Sequence, residues 1–153
     1  MEVPLFDQVA DLLNVLVPDG VGELRSAAHR RGIKVWFGTD AAPREHFEAQ
    51  FVARRHVDGR DGTVLEVGFH VEHRDPARND AAIACVEAAA PALRDVLGPD
   101  AEVGRFFGAD SWRRLSEVWS DVDPDDEDLA FDIASRLVDY IALIAPALPR
   151  DSA

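Results

Sequence analysis

The chain is poor in cysteine and lysine: 153 residues hold one of each, Cys85 and Lys34. A lone cysteine excludes an internal disulfide and fits a reducing compartment. Cys85 sits among small apolar neighbours in AAIACVEA, where a packed, inert thiol is expected rather than a nucleophile, which needs a basic partner. With Lys34 set aside, the other 15 of the 16 basic residues are arginine. Beside abundant alanine, GC-rich bacterial coding explains that bias more simply than selected anion recognition, because a guanidinium fork matters only at particular positions.

Positive charge is scarce as a whole, with 16 basic residues against 29 acidic ones and a net charge of −13. That field favours solubility and opposes non-specific adhesion to nucleic acid or anionic membranes, so nucleic acid is not an expected partner. Long apolar runs are missing too, and none approaches the roughly 18 residues of a membrane span. The first residues, MEVPLFDQVADLLNVLVPDG, carry acids where a signal peptide carries positive charge. A cytoplasmic protein without a membrane partner is the expectation. Gly-x-Gly-x-x-Gly, the phosphate-loop lysine motif, Gly-x-Ser-x-Gly and Cys-x-x-Cys are all absent.

What remains is globular, at 47% hydrophobic and 29% charged, and its length suits one domain over residues 1–153. Leu5, Val9, Leu12, Leu13 and Leu16 recur at helical spacing before Pro18-Asp19-Gly20 stops the helix. A second short helix is expected from Gly22 to Arg31, with Leu24, Ala27 and Ala28 inward and Gly32 as its stop. Ile33 to Gly38 alternates as a strand. Asp75-Pro76 opens a helix that runs to Gly98-Pro99. Glu102 to Phe107 and Trp112 to Trp119 read as strands whose exposed faces would suit a homodimer seam. Asp123-Pro124 begins an acidic helix start, and the final helix continues to about Ala147. The order ααβββαββα predicts an α+β fold, an antiparallel or mixed sheet of about five strands with helices mainly on one face. The helix–three strands–helix–strand order of residues 5 to 108 resembles the restriction-endonuclease-like core. The nearest acidic matches, Glu48-Ala49-Gln50 and Glu66-Val67-Gly68, bring no lysine.

The centre of the chain is the alternating stretch His46 to Arg74, two runs joined by DGRDG, the pattern of a β-hairpin. Phe47, Ala49, Phe51 and Ala53 must share a face with Leu65, Val67, Phe69 and Val71, which requires an even register. A five-residue loop, Asp58 to Gly62, meets that requirement and pairs Val57 with Thr63. It places Phe51 opposite Phe69 on the core face. On the other face it places Arg54 opposite Glu66, Gln50 opposite His70, and Glu48 opposite Glu72, a like-charge rung that calls for compensation.

Glu48, His70 and Glu72 are therefore the candidate catalytic or metal-ligating residues, with Gln50, Arg54 and Glu66 as further ligand-binding candidates. Carboxylates beside an imidazole suit a divalent cation or an acid–base pair. The simpler expectation is that these residues are solvated on the wet face of an antiparallel sheet. His73, on the opposite face, is expected to be a hydrogen-bonded core or edge histidine. Two functions follow. The first is a non-enzymatic binding module for a protein partner or a small ligand. The second is a metal-assisted, nuclease-like hydrolase in which Glu48 and Glu72 hold a divalent cation, His70 is ligand or base, and Gln50 orients water.

Overall fold

The computed structural model describes residues 3–148. Six strands form one sheet in the order β1-β2-β3-β4-β6-β5, every neighbouring pair antiparallel. They are β1 (Leu24–His29), β2 (Gly32–Phe37), β3 (Glu45–Ala53), β4 (Thr63–Val71), β5 (Glu102–Phe106) and β6 (Ala109–Trp119). The helices are α1 (Leu5–Leu16), α2 (Pro76–Ala89), α3 (Leu93–Leu97) and α4 (Leu129–Ile144). The class is α+β, as the sequence predicts, with one strand more. No helix among the described residues is long and apolar enough to cross a membrane.

The added strand is β1, where the sequence suggests a helix. Leu24 and Ala28 lie four apart, a spacing that puts them on one face in a helix and in a strand alike. Ala27 distinguishes the two readings, and it is exposed, on the side away from its neighbours Leu24 and Ala28. Pairing of Leu24 with Phe37 and Ala28 with Ile33 along the free edge of β2 overrides the weak helix preference of two alanines. With four strands before α2, the order also departs from the restriction-endonuclease-like one.

Two boundaries move as well, and one burial expectation fails. The expected helix 76–97 is broken at Pro91 into α2 and α3, because proline removes a backbone donor inside the helix. The acidic 121–128 segment forms turns in which Asp123 and Asp126 side chains accept from the Asp125 and Asp128 amides, so α4 starts only at Leu129. Cys85 lies on the exposed side of α2 and is not packed.

Apolar residues from each of the four helices join one buried cluster with Ile33, Val35, Phe47, Ala49, Leu65, Val67, Phe69, Val71 and Leu115. Every strand residue in that set is odd-numbered, so the helices cover one face of the sheet. Glu117 shares this face and ties α4 to β6. Its Oε1 accepts from Tyr140 Oη at 2.8 Å and Arg136 Nε at 2.7 Å, and its Oε2 accepts from Trp119 Nε1 at 2.9 Å. Burial, then the Glu117 charge, raises the Tyr140 pKa, which keeps the hydroxyl a donor.

The central hairpin keeps the expected even register but slides by four residues. Thr63 pairs with Ala53 rather than Val57, so Phe47 faces Phe69 and Phe51 faces Leu65. The connection runs from Arg54 to Gly62 and begins with a 3-10 turn at Arg54–His56. Asp58 closes it, taking Arg54 Nε at 2.9 Å and the Arg60 amide at 3.0 Å. Those local bonds outcompete continuation of β3 from Arg54 to Val57.

Gly68, opposite Glu48, holds β6 close. A Cβ there would stand 2.5 Å from Leu115 O and 2.6 Å from Ser116 Cα. Both neighbours are β6 backbone, which cannot yield without opening the ladder. Gly68→Ala is expected to destabilise the protein by at least about 1–3 kcal/mol, the usual cost of overpacking. An unchanged urea midpoint would show that β6 has slack at this point.

Candidate metal centre

The even-numbered face of the sheet is the informative one. Antiparallel sheets commonly leave such a face wet, yet Glu48 is 5% exposed, Glu66 and His70 are 0%, and Ser116 is 0%. The solvated-face expectation is therefore overturned. The β5–β6 hairpin, irregular at Arg105/Phe106, sets the Phe106 ring edge-on to His70 with centroids 4.7 Å apart. Phe106 in turn packs on Trp112 at 5.4 Å.

Within this layer His46, Glu48, His70 and Glu72 each offer one ligand atom, and the four atoms lie within 4.8 Å of one another. His46 and Glu48 come from β3, His70 from β4, and Glu72 from the residue after β4. Glu48 and Glu72 are not a cross-strand pair, since Glu48 faces Gly68. They meet instead through His46, whose Nε2 is 3.1 Å from Glu48 Oε1 and 3.1 Å from Glu72 Oε2. One ring nitrogen cannot direct a single hydrogen at both. It serves Glu48, and Glu72 Oε2 is a buried oxygen without a hydrogen-bond partner. His70 Nδ1, 3.5 Å from Glu48 Oε1, is likewise buried and unpartnered.

Each ring is anchored by its other nitrogen. His46 Nδ1 donates to Pro43 O at 2.8 Å, a carbonyl that can only accept. His70 Nε2 contacts Glu66 Oε2 at 2.7 Å. Glu66 also takes Ser116 Oγ at 2.6 Å and Gln50 Nε2 at 3.0 Å. Arg114 Nη1 donates to Ser116 Oγ at 2.8 Å, so the Ser116 hydrogen is left for Glu66.

The electrostatics follow. Burial pushes the His70 pKa down, but the Glu66 charge and the contacts with Glu48 and Glu66 outweigh it and raise the value to about 10. For His46 burial again opposes protonation, and the bond to Glu48 with the nearby Glu72 carboxylate prevails, raising its pKa. Burial of Glu48 is overcome by its two histidines, which hold its pKa down to about 2. Glu66 is lowered despite its burial, first by the His70 charge. Without a cation, the cluster is a buried set of imidazoliums and carboxylates.

The candidates named from the sequence thus divide. Glu48, His70 and Glu72 come together, and Gln50 and Glu66 form the supporting layer. Arg54 lies outside, in the β3–β4 connection, bound to Asp58. His73 also stands apart, past the end of β4 with Nε2 3.8 Å from Glu45. His46 and Ser116 are additions. The signal for His46 was present, since it alternates with Glu48 and Gln50, but the longer expected ladder put it opposite Arg74. Ser116 carries no local signal, because only the β4–β6 register brings it to Glu66.

The chain matches no protein-family model, no curated protein and no solved structure.

Proposed function

We propose that this protein is a non-enzymatic, metal-dependent binding module. One divalent cation, held by His46, Glu48, His70 and Glu72, locks the central hairpin of a sheet that serves a protein partner or small ligand. The observation that carries this reading is the pair of buried, unpartnered atoms, His70 Nδ1 and Glu72 Oε2, in a cluster 4.8 Å across. Buried polar atoms are rarely left unpaired, and an ion would satisfy both at once.

The dimensions fit. Ligand atoms about 2.0–2.2 Å from a tetrahedral ion stand roughly 3.3–3.6 Å apart. The cluster already has separations of 3.1, 3.1 and 3.5 Å, so coordination needs only a modest closing of its widest span.

The closed shell favours a structural ion over hydrolysis. A hydrolytic site keeps one position for water and a path for substrate. Here four protein groups would fill a tetrahedral ion, and His46, Glu48, His70 and Glu72 are 2%, 5%, 0% and 7% exposed. Two surface clefts, one lined by Arg44, His73, Arg74, Asp75 and Arg78 and the other by residues around Arg30, Phe51 and Val122, do not reach a ligand side chain.

Elemental analysis of protein purified without chelator tests the reading. The expected result is one equivalent of a transition metal per chain, retained through gel filtration and lost in the Glu48→Gln/Glu72→Gln double variant. Wild-type protein that takes up no metal when zinc, cobalt or manganese is supplied overturns it.

A further inference from the structure

We infer that Glu66 is the positioning residue that makes this cluster a site for a zinc-class ion rather than for magnesium or calcium. The inference rests on the metal-site reading above and deepens it by naming the ion class and the group that selects it.

The argument is about which ring nitrogen carries hydrogen, and the surroundings decide it. Arg114 has only donors, so its 2.8 Å contact makes Ser116 Oγ an acceptor there. The single Ser116 hydrogen then goes to Glu66 Oε2, 2.6 Å away. An ionised carboxylate has no hydrogen to give, so the 2.7 Å contact with His70 requires the ring to donate from Nε2. In a neutral ring the lone pair is therefore at Nδ1, the unpartnered atom that faces the cluster. Pro43 O fixes His46 the same way at 2.8 Å and leaves its Nε2 for the ion.

Carboxylate and backbone-carbonyl support of this kind is what metal-bound histidines use to fix tautomer and ring orientation. Two imidazoles presented as acceptors suit zinc and its neighbours. Calcium needs six to eight oxygens and magnesium near-octahedral oxygen, neither of which four mixed ligands supply. Glu66 is fully buried, and its carboxylate is spent on holding His70, Ser116 and Gln50 in place.

Glu66→Leu and Glu66→Gln separate positioning from bulk. Leucine removes every acceptor. Glutamine keeps one oxygen for His70 and Ser116 while Gln50 turns its amide to pair with the other end, so only the charge is lost. With cobalt(II) as the spectroscopic probe and zinc in competition, affinity is expected to fall about 10–100-fold in Glu66→Leu and less in Glu66→Gln. The intense visible band of four-coordinate cobalt should weaken in the same order. Millimolar magnesium or calcium should not displace cobalt from the wild type.

Should Glu66→Leu not fold, Ser116→Ala gives the decisive measurement, with a several-fold loss expected. Wild-type affinity and spectrum in the folded variants, or displacement of cobalt by magnesium, overturns the role of Glu66 and leaves the metal site standing. A wild type that binds neither cobalt nor zinc overturns both.

Discussion

Saturating zinc should raise the thermal midpoint of the wild-type protein by about 8–16 °C, and a chelator should return it. An ion that binds only the folded state stabilises it by about 4.1 kcal/mol at a thousand times its dissociation constant. At this chain length each kcal/mol moves the midpoint by about 2–4 °C. Little of that is lost to the unfolded chain, because the ligands come from β3, β4 and the residue after β4, whose ladder must first form. His70→Ala should abolish the zinc shift. It should also lower the metal-free midpoint, since it strips Glu48 and Glu66 of a buried counter-charge, a loss of roughly 3–5 kcal/mol. A wild-type midpoint unmoved by zinc would sink the idea that an ion locks the hairpin.

Much of this site could be read from the chain, and the limits of the reading were physical. Alternation fixed which residues of β3 and β4 share a face, since parity survives any even slip of register. It could not fix how far the ladder runs, because the Asp58 carboxylate ends β3 early through bonds to Arg54 and the Arg60 amide. That slip hid His46 from its three partners. Burial of the polar face was illegible for a different reason. It depends on Phe106 reaching His70 from β5, thirty-odd residues away, after an irregularity that no local pattern marks. Leu24 and Ala28 illustrate a third limit, since their spacing fits helix and strand equally, and only the free edge of β2 decides.

Above neutrality the metal-free protein should lose stability as pH rises, whereas the zinc-loaded protein should not. Folding raises the His70 pKa from 6.5 to about 10, so the unfolded chain loses this proton first. The stability it contributes is complete below pH 6.5, declines above it, and is gone once pH passes about 10. His46 acts with the same sign. Glu48 acts oppositely at the acid end. Its pKa falls from 4.5 to about 2, so its contribution is present above pH 4.5 and disappears as pH drops toward 2. From these groups the metal-free protein gains most between pH 4.5 and 6.5. Zinc removes the upper limb, because it binds the unprotonated rings and must displace the protons that otherwise pair with Glu48 and Glu66. The zinc increment in stability should therefore be small near about pH 5.5, where protons compete, and large near about pH 9. Urea midpoints at those two pH values, each with zinc and with chelator, measure it. Metal-free stability that rises between them, or a zinc increment equal at both, would mean that the buried histidines are not the groups that exchange proton for ion.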